Sequence, residues 1–322
     1  MSSVIAIDIG GTNFRVGLFS GDGTCRFIRE EPTSQEGGRE WMLERLVEQC
    51  AALRARAGSP VTACGISFGG PVNHARQLAT SVHSPGWNAF PLAQWVRDNL
   101  QLRCEVENDA NAGAIGEFRF GAGRGCQSIV YITLSTGVGS GVILDGKVLR
   151  GKDGMAGEFG HLPLSDSGII CSCGARGCLE TLCSGTAIAR VGRERACRVP
   201  EKAKRLMELS GGEAGKISAK SVLQAAAEGD PMATEILQET TQWLARGLLT
   251  LIRILNPDKI ILGGGVALAG SVLLRPLSAH LQRLGSPIIG YSTQIVVAEL
   301  GVNSALYGAA AIGLAMTQDE GQ

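Results

Sequence analysis

A stretch near the N-terminus carries the strongest signal for the fold: Val4-Ile5-Ala6-Ile7-Asp8-Ile9-Gly10-Gly11-Thr12-Asn13-Phe14-Arg15-Val16-Gly17-Leu18-Phe19. Its apolar runs, 4–9 and 15–19, predict two strands, and the glycines between them predict a tight turn. The following residues predict a strand near 25–29, a helix over 40–57, a strand over 61–68, a helix over 92–100, a strand over 104–107 and a helix from Asn111. This βββαβα order is typical of an α/β lobe with a mixed sheet.

A second set of elements begins with three more predicted strands, over 128–134, 141–144 and 148–150, the first two joined by Ser135-Thr136-Gly137-Val138-Gly139. Helices are predicted over 187–191, 203–209, 221–228 and 231–255. A strand over 259–262 then leads to a helix opened by Gly263-Gly264-Gly265, a strand over 295–298 and a helix over 305–316. Because the βββ start recurs, we expect two related lobes: a small one from 1–114 plus 304–322, and a large one from 115–303.

The composition excludes several classes of protein. The 322 residues contain 30 Lys plus Arg and 30 Asp plus Glu, so no basic surface indicates nucleic acid or an anionic membrane as a partner. The first apolar run is too short for a signal peptide and contains Asp8. No apolar run reaches the length needed to cross a bilayer. We therefore expect a protein of the reducing cytoplasm without nucleic-acid or membrane partners.

Four residues that commonly bind zinc lie close together in the sequence: His161, Cys171, Cys173 and Cys178. One imidazole and three thiols suit a closed tetrahedral zinc site. Gly174 and Gly177 let the backbone fold back tightly, so that the three sulfurs can converge on one ion. The alternative is a few scattered reduced cysteines, since the chain has ten. The clustering favours a structural zinc site.

The first glycine turn has the properties of a phosphate-binding loop. Backbone without side chains can approach phosphate oxygens closely and point its N–H groups at them, which makes Gly10, Gly11, Thr12 and Asn13 candidate contacts. Asp8, at the end of the preceding strand, is suited to hold Mg²⁺ through water. By itself this motif is also compatible with a plain hairpin turn.

A second glycine-rich turn strengthens the interpretation as a nucleotide site. Thr136 and Gly137 lie in that turn, and Gly264 and Gly265 open a later helix. Together with the first turn these residues provide three glycine-rich contacts for one nucleotide. The sequence is neither a Walker A motif nor a GxGxxG motif, so both of those nucleotide-binding folds are disfavoured.

The run Glu107-Asn108-Asp109-Ala110-Asn111 follows a short apolar strand and precedes a helix. A carboxylate at such a position can accept the proton of a sugar hydroxyl while that hydroxyl attacks a phosphorus atom. The alternative is a helix N-cap, which explains Asp109 or Asn111 but not the whole run. Asp109 is therefore the candidate general base.

These motifs together resemble the ROK family of bacterial sugar kinases and sugar-responsive repressors, within the actin/hexokinase-like ATPase superfamily. The resemblance covers nearly the whole chain, in the family's order: Asp8-Ile9-Gly10-Gly11-Thr12, Glu107-Asn108-Asp109-Ala110-Asn111, Thr133-Leu134-Ser135-Thr136-Gly137-Val138-Gly139, Glu158-Phe159-Gly160-His161 and Cys171-Ser172-Cys173-Gly174-Ala175-Arg176-Gly177-Cys178-Leu179-Glu180. It implies two lobes, each a mixed sheet flanked by helices, with the active site in the cleft. It also implies transfer of a phosphoryl group from MgATP to a hexose.

The resemblance assigns roles to individual residues. It implies that Asp109 is the catalytic base and that His161 binds both zinc and sugar, one with each ring nitrogen. The implied substrate contacts are Gly70, His83, Asn108, Asp109, Glu158, His161 and Glu180. Four protein ligands leave no open position on the zinc, so we expect the ion to position residues and not to activate water.

The sequence departs from the family's glucokinases near the expected sugar. Those enzymes often read Pro-Gly-Pro-Val-Asp and Pro-Asn-Leu where this chain has Phe68-Gly69-Gly70-Pro71-Val72-Asn73 and Ser81-Val82-His83-Ser84-Pro85. The Gly-Gly-x-Val-Asn form also resembles the N-acetylmannosamine kinases. We predict glucose, phosphorylated at O6, with N-acetylmannosamine or another hexose as the alternative. The reason is that no additional polar side chain is committed to an N-acetyl amide.

Two further interpretations belong to other functional classes. The repressors of the family carry a helix-turn-helix domain before the first strand, whereas this chain enters that strand at Val4. A zinc-stabilised sugar-binding protein without catalysis would lack the base or a phosphate turn, and this chain has both. The resemblance also implies a homodimer.

Overall fold

The computed structural model describes residues 2–34, 36–81, 84–166, 168–286 and 291–318. The chain divides into two compact units. The first consists of Met1–Cys126, Gly141–Ala156 and Asn303–Gln322, and the second of Gln127–Ser140 and Gly157–Val302. The assignment of a small lobe to 1–114 plus 304–322 and of a large lobe to 115–303 stays a prediction.

The first sheet and its helices come from the N-terminal part of the chain and from the C-terminal helix. The strands of the first sheet are β1 (Ser3–Ile9), β2 (Asn13–Ser20), β3 (Cys25–Pro32), β4 (Val61–Phe68) and β7 (Arg103–Asn108). Between β4 and β7, β5 (Val72–Asn73) and β6 (Leu78–Ala79) form a separate two-stranded sheet. The helices are α1 (Gly38–Arg56), α2 (Leu92–Leu100), α3 (Asp109–Phe120) and, at the C-terminus, α11 (Ser304–Gln318).

The first sheet has the strand order β3-β2-β1-β4-β7. β1, β2 and β3 form an antiparallel meander, whereas β4 and β7 run parallel to β1. The sheet is therefore mixed, as predicted. The carboxyl ends of the parallel strands β1, β4 and β7 meet at one edge, where the register places residues 8–9 beside 67–68 and residues 67–68 beside 107–108.

Both faces of this sheet are covered, and side chains of β1 alternate between them. One cluster joins strand residues to α11: Val4, Ala6, Phe19, Ala63, Leu306, Ala309, Ala310 and Leu314. The opposite face packs Ile5, Ile7 and Ile9 in a cluster that includes residues of α1 and α2. Because β1 is buried on both faces, its residues are apolar on both faces from Val4 to Ile9, except for Asp8.

The close packing of α11 on the sheet depends on Gly65 of β4. A Cβ atom built at Gly65 lies 1.9 Å from the backbone oxygen of Ala309, a distance that only movement of the helix could relieve. We expect Gly65→Ala to destabilise the fold by about 1–3 kcal/mol or more, as overpacked cores do. Thermal unfolding measures this loss as a lower Tm.

Gly58→Ala is the matched control, because a Cβ at Gly58 has no heavy atom within 4 Å. We expect that variant to unfold within a degree or two of the wild type, since exposed substitutions of this kind change stability by about 0.5 kcal/mol or less. An unchanged Tm for Gly65→Ala would contradict the proposed packing of α11.

The remaining elements begin with β8 (Ile129–Leu134), β9 (Val138–Leu144) and β10 (Lys147–Val148). The helices that follow are α4 (Glu180–Cys183), α5 (Gly185–Arg198), α6 (Lys204–Glu208), α7 (Ala219–Ala227), α8 (Pro231–Leu255), α9 (Gly264–Ala267) and α10 (Ser271–Leu284). The last two strands are β11 (Lys259–Gly263) and β12 (Gln294–Val297).

The second sheet repeats the topology of the first. Its order is β10-β9-β8-β11-β12, with β9 and β10 antiparallel and with β11 parallel to both β8 and β12. A meander followed by two parallel strands thus occurs twice, which agrees with the recurrence of the βββ start in the sequence.

The differences from the predicted bounds have local causes. The turn after β8 is shorter than predicted, because Val138 and Gly139 already belong to β9. The strand predicted over 148–150 is instead β10, which covers only Lys147–Val148. Helix α3 begins at Asp109 because the Asn108 side chain caps it. The hairpin β5–β6 was not predicted, since two-residue strands leave no periodic pattern. In the described ranges, no helix combines the length and the apolar character that crossing a membrane requires.

Candidate functional site

Asp8 is held at the carboxyl end of β1 by residues of both neighbouring strands. Ser67 Oγ on β4 donates to Asp8 Oδ1 at 2.8 Å, and Arg15 Nη1 on β2 lies 3.3 Å from Oδ2. Burial raises the pKa of Asp8, although the hydrogen bond from Ser67 and the charge of Arg15 act in the opposite direction. A fixed carboxylate of this kind is the hard oxygen donor that Mg²⁺ prefers, so Asp8 fits the predicted role.

The first glycine turn keeps its carbonyl oxygens engaged. Gly10 N–H donates to Asn13 O at 3.0 Å, and a Cβ at Gly10 would lie 2.8 Å from that same oxygen, so the turn requires glycine. Thr33 donates through Oγ1 to Gly10 O (2.8 Å) and through its N–H to Thr12 O (2.9 Å). The carbonyl oxygens of Gly10 and Thr12, which would repel a phosphate, are therefore hydrogen-bonded within the protein. Gly11 and Thr12 are exposed.

The turn after β8 in the second unit is built in the same way. Ser135 N–H donates to Gly137 O at 2.9 Å and closes the turn. Thr186 Oγ1 donates to Thr136 O at 2.8 Å, as Thr33 does to Gly10 O in the first turn. Gly185 N–H donates to Ser135 O at 2.7 Å. Each unit therefore contains a glycine-bearing turn after its first strand, and in each a threonine hydroxyl donates a hydrogen bond to a carbonyl oxygen of that turn.

Gly264 and Gly265 lie where β11 meets α9. Gly264 has φ +81°, and a Cβ there would lie 2.4 Å from Leu134 O, so a larger residue would force β8 and α9 apart. A Cβ at Gly265 meets no heavy atom within 4 Å, which leaves the space beside it open. Gly264 and Gly265 thus lie on a helix, whereas Thr136 and Gly137, the other nucleotide contacts predicted in the second unit, lie in a turn.

Asn108 organises the start of α3. Its Oδ1 accepts from the N–H groups of Ala110 (3.0 Å) and Asn111 (3.3 Å), which makes Asn108 the helix N-cap, and its Nδ2 donates to Gly70 O at 3.1 Å. Asp109 is the first helical residue, half-buried, and its Oδ1 accepts from Ala110 N–H at 2.9 Å. The N–H groups at a helix N-terminus favour a negatively charged group, so this position suits a carboxylate, and the hydrogen bond to Ala110 N–H orients the Asp109 side chain.

Three of the residues predicted to bind substrate, Gly70, Asn108 and Asp109, are thus brought together in the first unit. A Cβ at Gly70 would lie 2.5 Å from Thr80 O, so the loop after β4 is compact there. His83, the remaining predicted contact of this unit, lies outside the described residues.

The predicted metal ligands converge in the second unit: His161, Cys171, Cys173 and Cys178. Their ligand atoms all lie within 4.8 Å of one another. His161 Nδ1 is 3.4 Å from Cys171 Sγ, and the Sγ atoms of Cys173 and Cys178 are 3.7 Å apart. Tetrahedral zinc with usual bond lengths places N and S about 3.5 Å apart and two S atoms about 3.8 Å apart. The four side chains can therefore hold a metal ion, and the donor set fits zinc.

The backbone around these ligands depends on glycines. Gly174 has φ +88° and Gly177 has φ +66°, and a Cβ at Gly177 would lie 1.6 Å from Ser165 O. Cys171 N–H donates to Ala175 O at 2.8 Å, so the segment folds back on itself within five residues. This local closure is what lets three sulfurs point to one centre.

Polar side chains predicted to contact sugar surround the metal ligands. His161 directs Nδ1 toward Cys171, whereas its Nε2 lies 3.7 Å from Glu158 Oε2. Glu180 begins α4 and accepts from Val138 N–H (3.0 Å) through Oε2 and from Ser172 Oγ (3.2 Å) through Oε1. One ring nitrogen of His161 is thus available to the metal and the other lies on the side of Glu158.

Several supporting residues were not predicted from the sequence. Ser67 faces Asp8 only because β1 and β4 pair in a register that places them opposite each other. Thr33, Thr186 and Ser172 act through hydrogen bonds to residues that were predicted. A serine or threonine near a glycine turn is too common a feature to signal such a role.

Known proteins resemble this chain over nearly its whole length. The family model described as "ROK family" matches residues 4–316. The glucokinase of Streptomyces coelicolor is 34% identical over 316 residues, covering 96% of this chain and 97% of that protein. The N-acetylmannosamine kinase of Escherichia fergusonii is 31% identical over 84% of this chain and 86% of its own length.

A solved structure extends the comparison to three dimensions. The ROK family glucokinase from Streptomyces griseus, in complex with glucose and AMPPNP, is 35% identical and superposes with a TM-score of 0.84 over 97% of this chain and 99% of that one. The chain belongs to the ROK family. The predicted actin/hexokinase-like α/β fold, with mixed sheets flanked by helices, is confirmed.

Proposed function

We propose that this protein is an ATP-dependent hexose kinase that phosphorylates glucose at O6. The observation that carries the proposal is Asp109, a carboxylate fixed at the N-terminus of α3 beside the capping residue Asn108. The glucokinase relatives, at 34–35% identity over nearly the whole chain, support the same reaction.

Asp109 acts as the general base in this proposal. It accepts the proton of the O6 hydroxyl while that oxygen attacks the γ-phosphorus of ATP, and ADP leaves with the electron pair of the broken P–O bond. Because phosphoryl transfer passes through a loose transition state, positioning and charge stabilisation lower the barrier more than basicity does. Asn108 orients the sugar hydroxyl, since its amide is fixed between α3 and Gly70.

The two glycine turns bind the phosphates through backbone N–H groups: Gly10, Gly11, Thr12 and Asn13 in one, Thr136 and Gly137 in the other. Gly264 and Gly265 line the adenosine side. Asp8 would hold Mg²⁺ through water, and the ion supplies charge neutralisation on the phosphates.

Glu158, His161 and Glu180 bind the hexose hydroxyls, together with Gly70 and His83. His161 would ligate zinc through Nδ1, and the ion supplies a fixed ring orientation, which presents Nε2 to the sugar. Zinc has a structural role here, with Cys171, Cys173 and Cys178 completing its four ligands.

The function is tested by a panel of hexoses with MgATP, scored by sugar-dependent release of ADP. 6-Deoxyglucose is the control for the site of transfer, because it lacks the O6 acceptor. ADP release that no hexose stimulates would contradict the proposed function, and turnover of 6-deoxyglucose would contradict the assignment of O6.

The preference for glucose over N-acetylmannosamine follows from the loop after β4. Gly70 N–H donates to Phe68 O (2.9 Å), Gly70 O accepts from Asn108 Nδ2 (3.1 Å), and Pro71 O accepts from Thr80 N–H (3.0 Å). Pro71 has no N–H to donate. An N-acetyl amide placed against these groups would find them already paired.

We therefore expect kcat/KM for glucose to exceed that for N-acetylmannosamine by about 10- to 100-fold, the effect of one unpaired buried amide. Steady-state kinetics on both sugars at equal MgATP measure the ratio. A ratio of one or less would show that the Gly-Gly-x-Val-Asn resemblance to N-acetylmannosamine kinases was the better guide.

We also propose a homodimer in the cytoplasm, without nucleic-acid or membrane partners. A zinc site of three thiolates requires reduced cysteines, which agrees with a reducing compartment. Light scattering of the purified protein measures the oligomeric state.

A further inference from the structure

Glu107 is a buried carboxylate at the carboxyl end of β7, with 2% of its side chain exposed. Cys104 and Val106 on the same strand lie in the apolar core, whereas Glu105 is half-buried. Strand alternation gives Glu107 the same face as Glu105, yet Glu107 is enclosed. Such burial is costly unless hydrogen bonds and an opposite charge compensate the carboxylate.

Both carboxylate oxygens of Glu107 have partners in the first unit. Oε1 accepts from the backbone N–H of Asn108 at 3.0 Å and from Asn111 Nδ2 at 3.1 Å. Oε2 accepts from Arg150 Nε at 2.9 Å and from Arg150 Nη2 at 2.7 Å. One oxygen therefore holds the loop that begins α3, and the other holds an arginine from the segment after β10.

The neighbouring histidine is engaged elsewhere. His74 Nε2 lies 2.9 Å from Glu105 Oε1 but 3.8 Å from Glu107 Oε2. The hydrogen bond from His74 is the main reason that the pKa of Glu105 is lowered. Arg150 is thus the cation that compensates Glu107, while His74 is hydrogen-bonded to Glu105.

We propose that Glu107 and Arg150 form a positioning pair for the catalytic base, an inference that rests on the proposed kinase function. Glu107 fixes the backbone of Asn108, and the Asn108 side chain is bound to the first turn of α3 and to Gly70 O. These hydrogen bonds hold the backbone on the N-terminal side of Asp109. Arg150 cancels the charge of Glu107, so that the base does not lie beside an uncompensated second carboxylate.

Glu107→Gln breaks the pair because it replaces the carboxylate with a neutral amide opposite the guanidinium. Arg150→Gln breaks the pair because it removes the guanidinium. We expect kcat to fall by about 10- to 100-fold in both, the effect of a small misplacement of a reacting group. Arg150→Lys keeps the charge but not the two-bond geometry, so we expect a smaller loss.

The dependence of kcat/KM on pH separates a positioning pair from a merely structural one. Glu107→Gln leaves the positive charge of Arg150 near Asp109, so the acid limb of the kcat/KM profile moves to lower pH. Arg150→Gln leaves the negative charge of Glu107, so the acid limb moves to higher pH. Each shift is on the order of half a pH unit. The double variant Glu107→Gln/Arg150→Gln returns the limb to its wild-type position while kcat stays low. A structural defect would lower the rate without opposite shifts.

Glu105→Gln is the matched control, a carboxylate on the same strand that bonds to His74, and we expect wild-type kinetics from it. If Glu107→Gln does not fold, the two Arg150 variants carry the test, because Arg150 is 31% exposed. A wild type without hexose-dependent ADP release would overturn the proposed function. An active wild type whose variants keep normal kcat, or show no opposite shifts, would overturn this inference alone.

Discussion

Replacing Asp109 with asparagine is expected to lower kcat by about two to four orders of magnitude, the usual cost of a lost general base. The side chain keeps its size, and an asparagine Oδ1 can still accept from Ala110 N–H as Asp109 Oδ1 does at 2.9 Å. The start of α3 should therefore stay intact. We expect KM for the sugar to change little, since binding and proton transfer are separate events. Steady-state kinetics with saturating MgATP measure both constants.

Asp98→Asn is the control for this variant, because Asp98 is exposed on α2 and bonds to Gln94 of the same helix. We expect it to retain wild-type kcat and KM. Calorimetric titration with glucose should show that Asp109→Asn still binds the sugar. Near-normal turnover by Asp109→Asn would mean that the proton leaves by another route.

Removal of the proposed zinc ion is expected to cost both stability and activity. Cys173→Ser removes one of the four proposed ligands and leaves His161, Cys171 and Cys178. Prolonged exposure to a chelator removes the ion itself. The free energy of metal binding contributes to folding at a structural site, so the Tm should fall. KM for the sugar should rise, because His161 loses the partner that fixes its ring. Metal analysis of the wild type should find about one zinc ion per chain, as a single four-ligand set implies.

Cys197→Ser controls for the loss of a thiol, since Cys197 is also exposed but lies on α5, outside the metal set. We expect it to keep its zinc, its Tm and its activity. A well-folded and fully active protein that contains no zinc would remove the basis for the metal site.

Local features were predictable because their causes lie within a few residues. The helix over Pro231–Leu255 has the predicted bounds, since Asp230 caps it and Pro231 suits its first turn. The cysteines converge because glycines let eight consecutive residues close on themselves. The order of the elements and the recurrence of the meander followed from the same short-range patterns.

Parts of the candidate site depend on pairs of residues that lie far apart in the sequence. In the sequence Glu107 is one acidic residue among thirty, and its pairing with Arg150 forms only in the folded chain. Likewise, Glu180 reaches Val138 N–H across 42 positions. No periodicity or spacing encodes such pairs.

Local backbone preference and side-chain chemistry made the turns, the caps, the proposed metal ligands and the candidate base predictable from the residues alone. The distant groups that hold these residues follow from the fold: Ser67 beside Asp8, Gly70 beside Asn108, and Arg150 beside Glu107. The physical reason is that strand register and helix packing are set by burial summed over the whole chain, and a contact between distant residues forms only once that burial offsets the entropy of closing the loop between them.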